Sequence, residues 1–320
     1  MRVFVTRQLT DGAASAMGDL PASVEVFEGG GAPDRSELLE GARGAAALLT
    51  MVTDEVDEAV LDAAGDDLRI VANHAVGVDN IDLAAAAERG VVVTHTPGVL
   101  DEAVADLTFG LVLATSRRIG EADRMVRSGT PWVWGPRVLI GLDLSAGATL
   151  GIVGLGRIGM AVARRARAFG MRILATGSRA SSAEARDLGV EPADLGALLD
   201  ASDVVSLHCP LTDSTRHLIG AAELRRMRPG AILINTARGR VVDEAALVAA
   251  LGDGTIAAAG LDVFEHEPQV HPGLLKLDNV VLAPHIGSAG EATRDRMGQL
   301  AIDNIAAVLT GKDPLTPVSA

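Results

Sequence analysis

Residues 149–159 read TLGIVGLGRIG and run on into MAVARRARAFG at 160–170. An apolar run enters the glycines and an alanine- and arginine-rich helical run leaves them. That strand–turn–helix setting lifts a Gly-x-Gly-x-x-Gly pattern above the ordinary turn that glycines otherwise mark. In it, Gly154 permits the tight turn, Gly156 lets the backbone approach a pyrophosphate, and Gly159 lets helix and strand pack closely. Leu155, Arg157 and Ile158 complete the loop, and the helix amino end aims its N–H groups at phosphate. The stretch therefore predicts a dinucleotide-binding α/β unit.

Working outward, the strands LGIVG, RILAT, DVVSLH, AILINTA, AAGLDVF and NVVLAP alternate with helical segments, the six-strand count of a complete dinucleotide-binding sheet. An earlier series begins with RVFVT from Arg2, VEVF from Val24, AALL from Ala46, LRIVAN from Leu68 and VVVTHT from Val91. Between these lie helical stretches such as DEVDEAVLDAAG and IDLAAAAERG. Two long helical stretches, from Asp101 and from Glu291, flank the second series. The chain is expected to cross into the second domain on the former and return on the latter, so that the carboxyl-terminal helix packs on the amino-terminal domain. The fold class is α/β: two doubly wound parallel-sheet domains, with a Rossmann-type unit at 100–287 inserted into a flavodoxin-like domain made of 1–99 plus 288–320.

Composition agrees with two cores, since 320 residues with 48% hydrophobic content exceed what one core commonly organises. The 28 basic against 42 acidic residues, a net charge of −14, repel nucleic acid and anionic lipid, so an anionic ligand must be held by local arginines. No apolar run reaches the ~18 residues of a membrane span. The single Cys209 excludes a disulfide framework and a cysteine-rich metal site, and a cytoplasmic protein is expected. No spacing among His74, His95, His208, His217, His266 and His271 suggests a metal site.

The end of the second strand of the nucleotide unit, LATGSRA at 174–180, is where a carboxylate would accept from the adenosine ribose hydroxyls. None is present. Arg179, with the Ser178 hydroxyl, is suited to a 2′-phosphate through charge-assisted hydrogen bonds. NADP(H) is therefore the expected cofactor, with NAD(H) admissible.

Six ordered motifs then carry a resemblance over nearly the whole chain: HAVGVDNID at 74–82, GLGRIG at 154–159, LHCPLT at 207–212, INTARG at 234–239, GLDVFEHEP at 260–268 and PHIGSA at 284–289. The chain resembles the D-isomer-specific 2-hydroxyacid dehydrogenases. Within them it is most similar to glyoxylate/hydroxypyruvate reductases, through WGPRVLIG at 134–141, the TGSR turn and HPGLLKLDNVVLAPHIGSA at 271–289. The resemblance implies a small 2-oxo acid substrate, an outer domain that binds it, and a homodimer in which Trp134 reaches towards the neighbouring active site. It also assigns Arg238 to the substrate, places Asp262 beside the nicotinamide, and puts Cys209, Pro210, Thr236, Ala237 and Gly287 on the cofactor.

The chemistry can be argued beside that likeness. Reducing a 2-oxo acid requires a cation for the carboxylate, a proton donor to the ketone oxygen and a partner for the donor. Arg238, at a strand end, offers a fork that matches a carboxylate or a carboxylate plus ketone oxygen. His285 is the expected proton donor, histidine being the side chain that exchanges protons near neutral pH, and Glu267 its hydrogen-bonded partner. In the turn after LRIVAN, Gly77 would let the N–H groups of Val76 and Gly77 face a small anion. Rival readings are a phosphoglycerate or phosphite dehydrogenase, a dehydrogenase of longer 2-oxo acids, and a nucleotide-sensing corepressor-like binding module. A formate dehydrogenase would carry glutamine where this chain has Glu267.

Overall fold

A computed structural model describes residues 1–318, so the last two residues of the expected outer domain lie outside the described residues. Its strands are β1 (Arg2–Val5), β2 (Ser23–Val26), β3 (Ala47–Thr50), β4 (Ile70–Asn73), β5 (Val92–Thr94), β6 (Thr149–Val153), β7 (Arg172–Ala175), β8 (Val190–Pro192), β9 (Val204–Leu207), β10 (Ile232–Asn235), β11 (Ala258–Leu261) and β12 (Val280–Leu282). They form two sheets, all of whose strand pairs are parallel. The chain separates into two compact units, Met1–Leu100 with the segment from Ser288 onward, and Asp101–Gly287.

In the first unit the order β2-β1-β3-β4-β5 is that of flavodoxin-like sheets. Strands β3 and β4, reading ALLT and IVAN, are buried at every position, because helices cover both faces of a parallel sheet. One face packs on Val60, Leu61, Ala85 and Ala86. The other meets Ala301, Ile302, Ile305 and Leu309 of the helix Glu291–Leu309, whose inward stripe recurs at the helical period. Asp57 and Asp82 start their helices by accepting an N–H from the first turn, each cap worth about 1 kcal/mol.

The second unit corrects the strand count. Its sheet has seven strands in the order β12-β11-β10-β9-β6-β7-β8. Counted from β6 this is 3-2-1-4-5-6-7, the dinucleotide-binding order extended by one strand. The strand absent from the sequence reading is β8, Val190–Pro192, at the sheet edge. Three residues ending in proline carry no readable alternation, and proline is tolerated there because an edge strand has no outer partner for its missing N–H. The helical stretch from Asp101 is also two helices, Asp101–Ser116 and Ile119–Arg127, not one. Arg118 takes a left-handed conformation (φ 53°) between them. The Ser116 carbonyl accepts instead from Leu142 N–H (2.8 Å), where Gly141 lies so close that a Cβ would overlap it.

Candidate active site

Every cofactor and catalytic candidate of the second unit sits at or just beyond the carboxyl edge of its sheet: Gly154 after β6, Ser178 and Arg179 after β7, Cys209 and Pro210 after β9, Thr236 to Arg238 after β10, Asp262 after β11 and His285 after β12. Ligands of open α/β sheets bind outside that edge, at the point where the strand order reverses. Here the reversal lies between β6 and β9, where the glycine turn and Cys209 meet.

The three glycines do three different things. Gly154 has φ 96°, and a Cβ on it would fall 2.6 Å from the Cys209 nitrogen, so turn conformation and close approach both demand glycine. A Cβ on Gly159 would lie 2.5 Å from the Gly154 oxygen and 3.2 Å from Ile152 Cγ2, which is the close helix–strand packing. Gly156 is exposed, has ordinary backbone angles, and a Cβ there would meet no protein atom within 4 Å. Nothing in the fold requires it to be bare, so its open side is the cradle a pyrophosphate fits. The helix Arg157–Ala168 that follows has no side-chain cap, leaving first-turn N–H groups for an anion. Arg157 is exposed and Ile158 half-buried on that turn, whereas Leu155 points into the core. Thr176 braces the loop, its hydroxyl accepting from Gly154 N–H at 3.1 Å and its carbonyl from Leu155 N–H at 3.0 Å.

The missing ribose carboxylate has a local cause. Gly177 takes φ 106° and packs with 3.3 Å between a would-be Cβ and Leu155 N, a conformation and a space that disfavour any side chain. Ser178 and Arg179 follow it on an exposed turn. Arg179 is not idle: its guanidinium bonds Glu184 at 2.8 Å, and Glu184 lies 3.6 Å from Arg164. A phosphate on Arg179 would compete with a carboxylate.

At the far side of the same edge, His285 and Glu267 meet, with Nδ1 2.8 Å from Oε2. Glu267 Oε1 accepts from Phe264 N–H at 2.9 Å. Burial opposes the Glu267 charge, but the His285 bond, the Phe264 amide and the nearby charges of His285 and Arg238 outweigh it and hold the carboxyl below its ordinary range. Arg238 thus stands within electrostatic reach of the pair. Its own loop is fixed by Asn235, which is 1% exposed, accepts from Ala237 N–H at 3.0 Å and donates to the Arg238 carbonyl at 2.9 Å. The Arg238 guanidinium also donates to the Ala237 carbonyl. The Thr236 hydroxyl lies 2.9 Å from that of Thr108 on the helix Asp101–Ser116.

His285 itself is left-handed (φ 54°), an uncommon conformation for a residue with a Cβ and one that collects at functional sites. Asp262 holds it there. Its carbonyl accepts from His285 N–H, and its buried carboxylate accepts from the amides of Ile286 and Gly287, all at 2.8 Å. Burial raises the Asp262 pKa even though those amides and the neighbouring His285 favour the anion. Gly287 leaves 3.2 Å for that carboxylate beside its would-be Cβ.

Other candidates fall away from this cluster or support it from a distance. Burial pushes the Cys209 thiol up and keeps it protonated, and Pro210 is exposed beside it. Burial pushes His208 down to about 3, leaving it neutral against the Ser206 hydroxyl. In the first unit the carbonyls of Val76 and Gly77 accept from His95 and Asn73, at 2.9 Å each, while their amides donate to no other group of the described residues. Trp134 is 81% exposed in the stretch after the helix Ile119–Arg127. Among the described residues no cluster of histidine, cysteine and carboxylate side chains could hold a metal, and no helix is long and apolar enough to cross a membrane. The sequence reading missed Asn235 and Thr108. The signal for the first was its place in INTARG with Arg238; Thr108, mid-helix, left none.

A family model described as D-isomer specific 2-hydroxyacid dehydrogenase, NAD binding domain, matches residues 109–287. The chain is 50% identical over 319 residues to a glyoxylate reductase of Thermococcus litoralis, covering 98% of this chain and 95% of the relative. It is similar to a solved protein of Thermus thermophilus with a TM-score of 0.92, 47% identity and complete coverage of both chains. It is also similar to an NADPH-dependent glyoxylate/hydroxypyruvate reductase of Sinorhizobium meliloti solved with NADP and malonate, with a TM-score of 0.85, 36% identity and coverage of 99% and 96%. The chain belongs to the D-isomer specific 2-hydroxyacid dehydrogenases, NAD(P)-dependent oxidoreductases.

Proposed function

We propose that the chain reduces a small 2-oxo acid, glyoxylate or hydroxypyruvate, to the 2-hydroxy acid, with NADPH preferred over NADH. The observation that carries this reading is the 2.8 Å pair of His285 and Glu267 within reach of the Arg238 charge, on the same sheet edge as a glycine turn whose open side fits a pyrophosphate. Relatives that carry the name glyoxylate reductase at 45–50% identity support the substrate class.

When bound, the reduced nicotinamide supplies the hydride that goes to the 2-oxo carbon, an aldehyde carbon in glyoxylate and a ketone carbon in hydroxypyruvate. Arg238 binds the substrate carboxylate and stabilises the oxygen as negative charge develops on it. His285 gives that oxygen a proton from Nε2, since Nδ1 is engaged by Glu267. Glu267, kept ionised by its neighbours, holds the imidazole in orientation and offsets its positive charge before the proton leaves. Asp262 sets the backbone from which the ring projects. The free amides of Val76 and Gly77 are proposed to face a small anion.

Arg179 and Ser178 are the proposed partners of the 2′-phosphate. The Sinorhizobium meliloti relative, solved with NADP, supports that choice. A cytoplasmic location goes with the free Cys209. A homodimer is proposed from the apolar surface around Trp134, where Trp132, Val133, Trp134 and Ile140 are 60%, 85%, 81% and 63% exposed, and where Trp132 and Trp134 line a hollow with Met125, Val126 and Val138. A second copy of the chain is the occupant that would cover it.

Initial rates for glyoxylate, hydroxypyruvate and longer 2-oxo acids with each reduced cofactor test the function. Turnover fastest on the two small acids with NADPH is expected. Dinucleotide binding with no turnover on any oxo acid would replace the reading with a nucleotide-sensing module.

A further inference from the structure

The backbone of Phe264 and Glu265 is a junction for the groups assigned to catalysis. Phe264 N–H goes to Glu267 (2.9 Å), and Glu265 N–H goes to Glu244 Oε1 (2.7 Å). Gly239, next to Arg238, lies so close that a Cβ on it would overlap the Phe264 carbonyl and the Glu265 nitrogen. From outside, the Glu265 carboxylate meets His217 Nε2 at 2.6 Å, while His217 N–H donates to the Arg240 carbonyl. Glu244 begins the helix Glu244–Gly252 and is 4% exposed, an unusual place for a carboxylate without a structural or functional task.

We propose that Glu244 is a positioning residue for the reaction: by holding the Phe264–Glu265 peptide against Gly239, it sets the spacing between Arg238 and the Glu267–His285 pair. The inference rests on the assignment of those three residues to catalysis. Burial raises the Glu244 pKa, and a protonated carboxyl keeps the accepting oxygen that the Glu265 amide uses. What matters is then an acceptor at that reach, not a charge.

The test uses the full chain with Glu244→Ala, Glu244→Gln and Glu244→Asp, reading kcat and KM for glyoxylate, the Kd of NADPH by nicotinamide fluorescence, and thermal stability. Alanine is expected to lower kcat about tenfold, as sub-ångström misplacement does, with the Kd of NADPH unchanged. Glutamine should restore most of kcat, and aspartate, one methylene short, should not. If Glu244→Ala is folded and keeps the wild-type kcat, or if it does not fold and Glu244→Asp keeps it, the proposal is overturned. A Glu267→Ala control separates the two levels. Loss of turnover in that control beside intact Glu244 variants sinks only the positioning role, whereas full turnover in it sinks the catalytic assignment and the positioning role together.

Discussion

At the residue scale, glycines of the same loop make opposite predictions. A methyl on Gly159 must push apart the Gly154 carbonyl and Ile152, so Gly159→Ala is expected to lose about 1–3 kcal/mol of stability, as overpacking does. A methyl on Gly156 meets no protein atom, so Gly156→Ala should keep stability within about 0.5 kcal/mol and lose affinity for NADPH. Thermal unfolding and fluorescence titration of both variants check this; equal behaviour would show that Gly156 is not where a cofactor approaches. Glycine identity was readable in GLGRIG, but the division of roles became visible only once the neighbours of each missing side chain were known. The same holds for Asp262, which the family resemblance placed beside the nicotinamide and whose carboxylate is engaged by the amides of Ile286 and Gly287.

At the scale of elements, the proposed NADPH preference rests on the turn after β7. Arg179 already pairs with Glu184 on an exposed surface, an interaction worth little in water. A dianionic phosphate can displace it. Arg179→Asp should lower the NADPH-to-NADH ratio of kcat/KM by about ten- to a hundredfold, the worth of a charge-assisted hydrogen bond plus the repulsion introduced. Initial rates with both cofactors measure it, and an unchanged ratio would remove Arg179 from the site. Elements with continuous apolar runs, such as ILIN and TLGIV, were legible because both faces of a parallel strand are buried. Strand β8 was not, being three residues at an edge, and neither was the break at Arg118. A contact from Gly141, distant in sequence, ends that helix, and local periodicity carries no trace of it.

For the whole molecule, the depressed Glu267 pKa couples the site to folding. Burial alone would raise it, but the His285 bond and the surrounding amide and charges bring it below the ordinary 4.5. A depressed carboxyl contributes stability that is present in full above its unfolded pKa and is lost as pH falls through the lower folded value. Acidification below about pH 4.5 should therefore reduce thermal stability, and Glu267→Gln should make that fall shallower; identical pH profiles would show that the pair is not formed in solution. Sedimentation addresses assembly. Wild type is expected to run as a dimer and Trp134→Glu to shift it towards the monomer mass, while a monomeric wild type would leave the apolar stretch without its proposed occupant. The two-domain plan and the motif order were legible from the chain because each depends on local runs. The Gly239–Phe264–Glu244 junction was not, because it joins residues far apart in sequence.

In the proposed mechanism, catalysis turns on His285 protonating the 2-oxo oxygen while the rest of the site binds. Single-turnover oxidation of bound NADPH by glyoxylate in His285→Asn isolates that step. A rate lower by about 10²–10⁴, the share of a positioned general acid, is expected, with the Kd of NADPH unchanged. Transfer at the wild-type rate in that variant would show that His285 is not the proton donor.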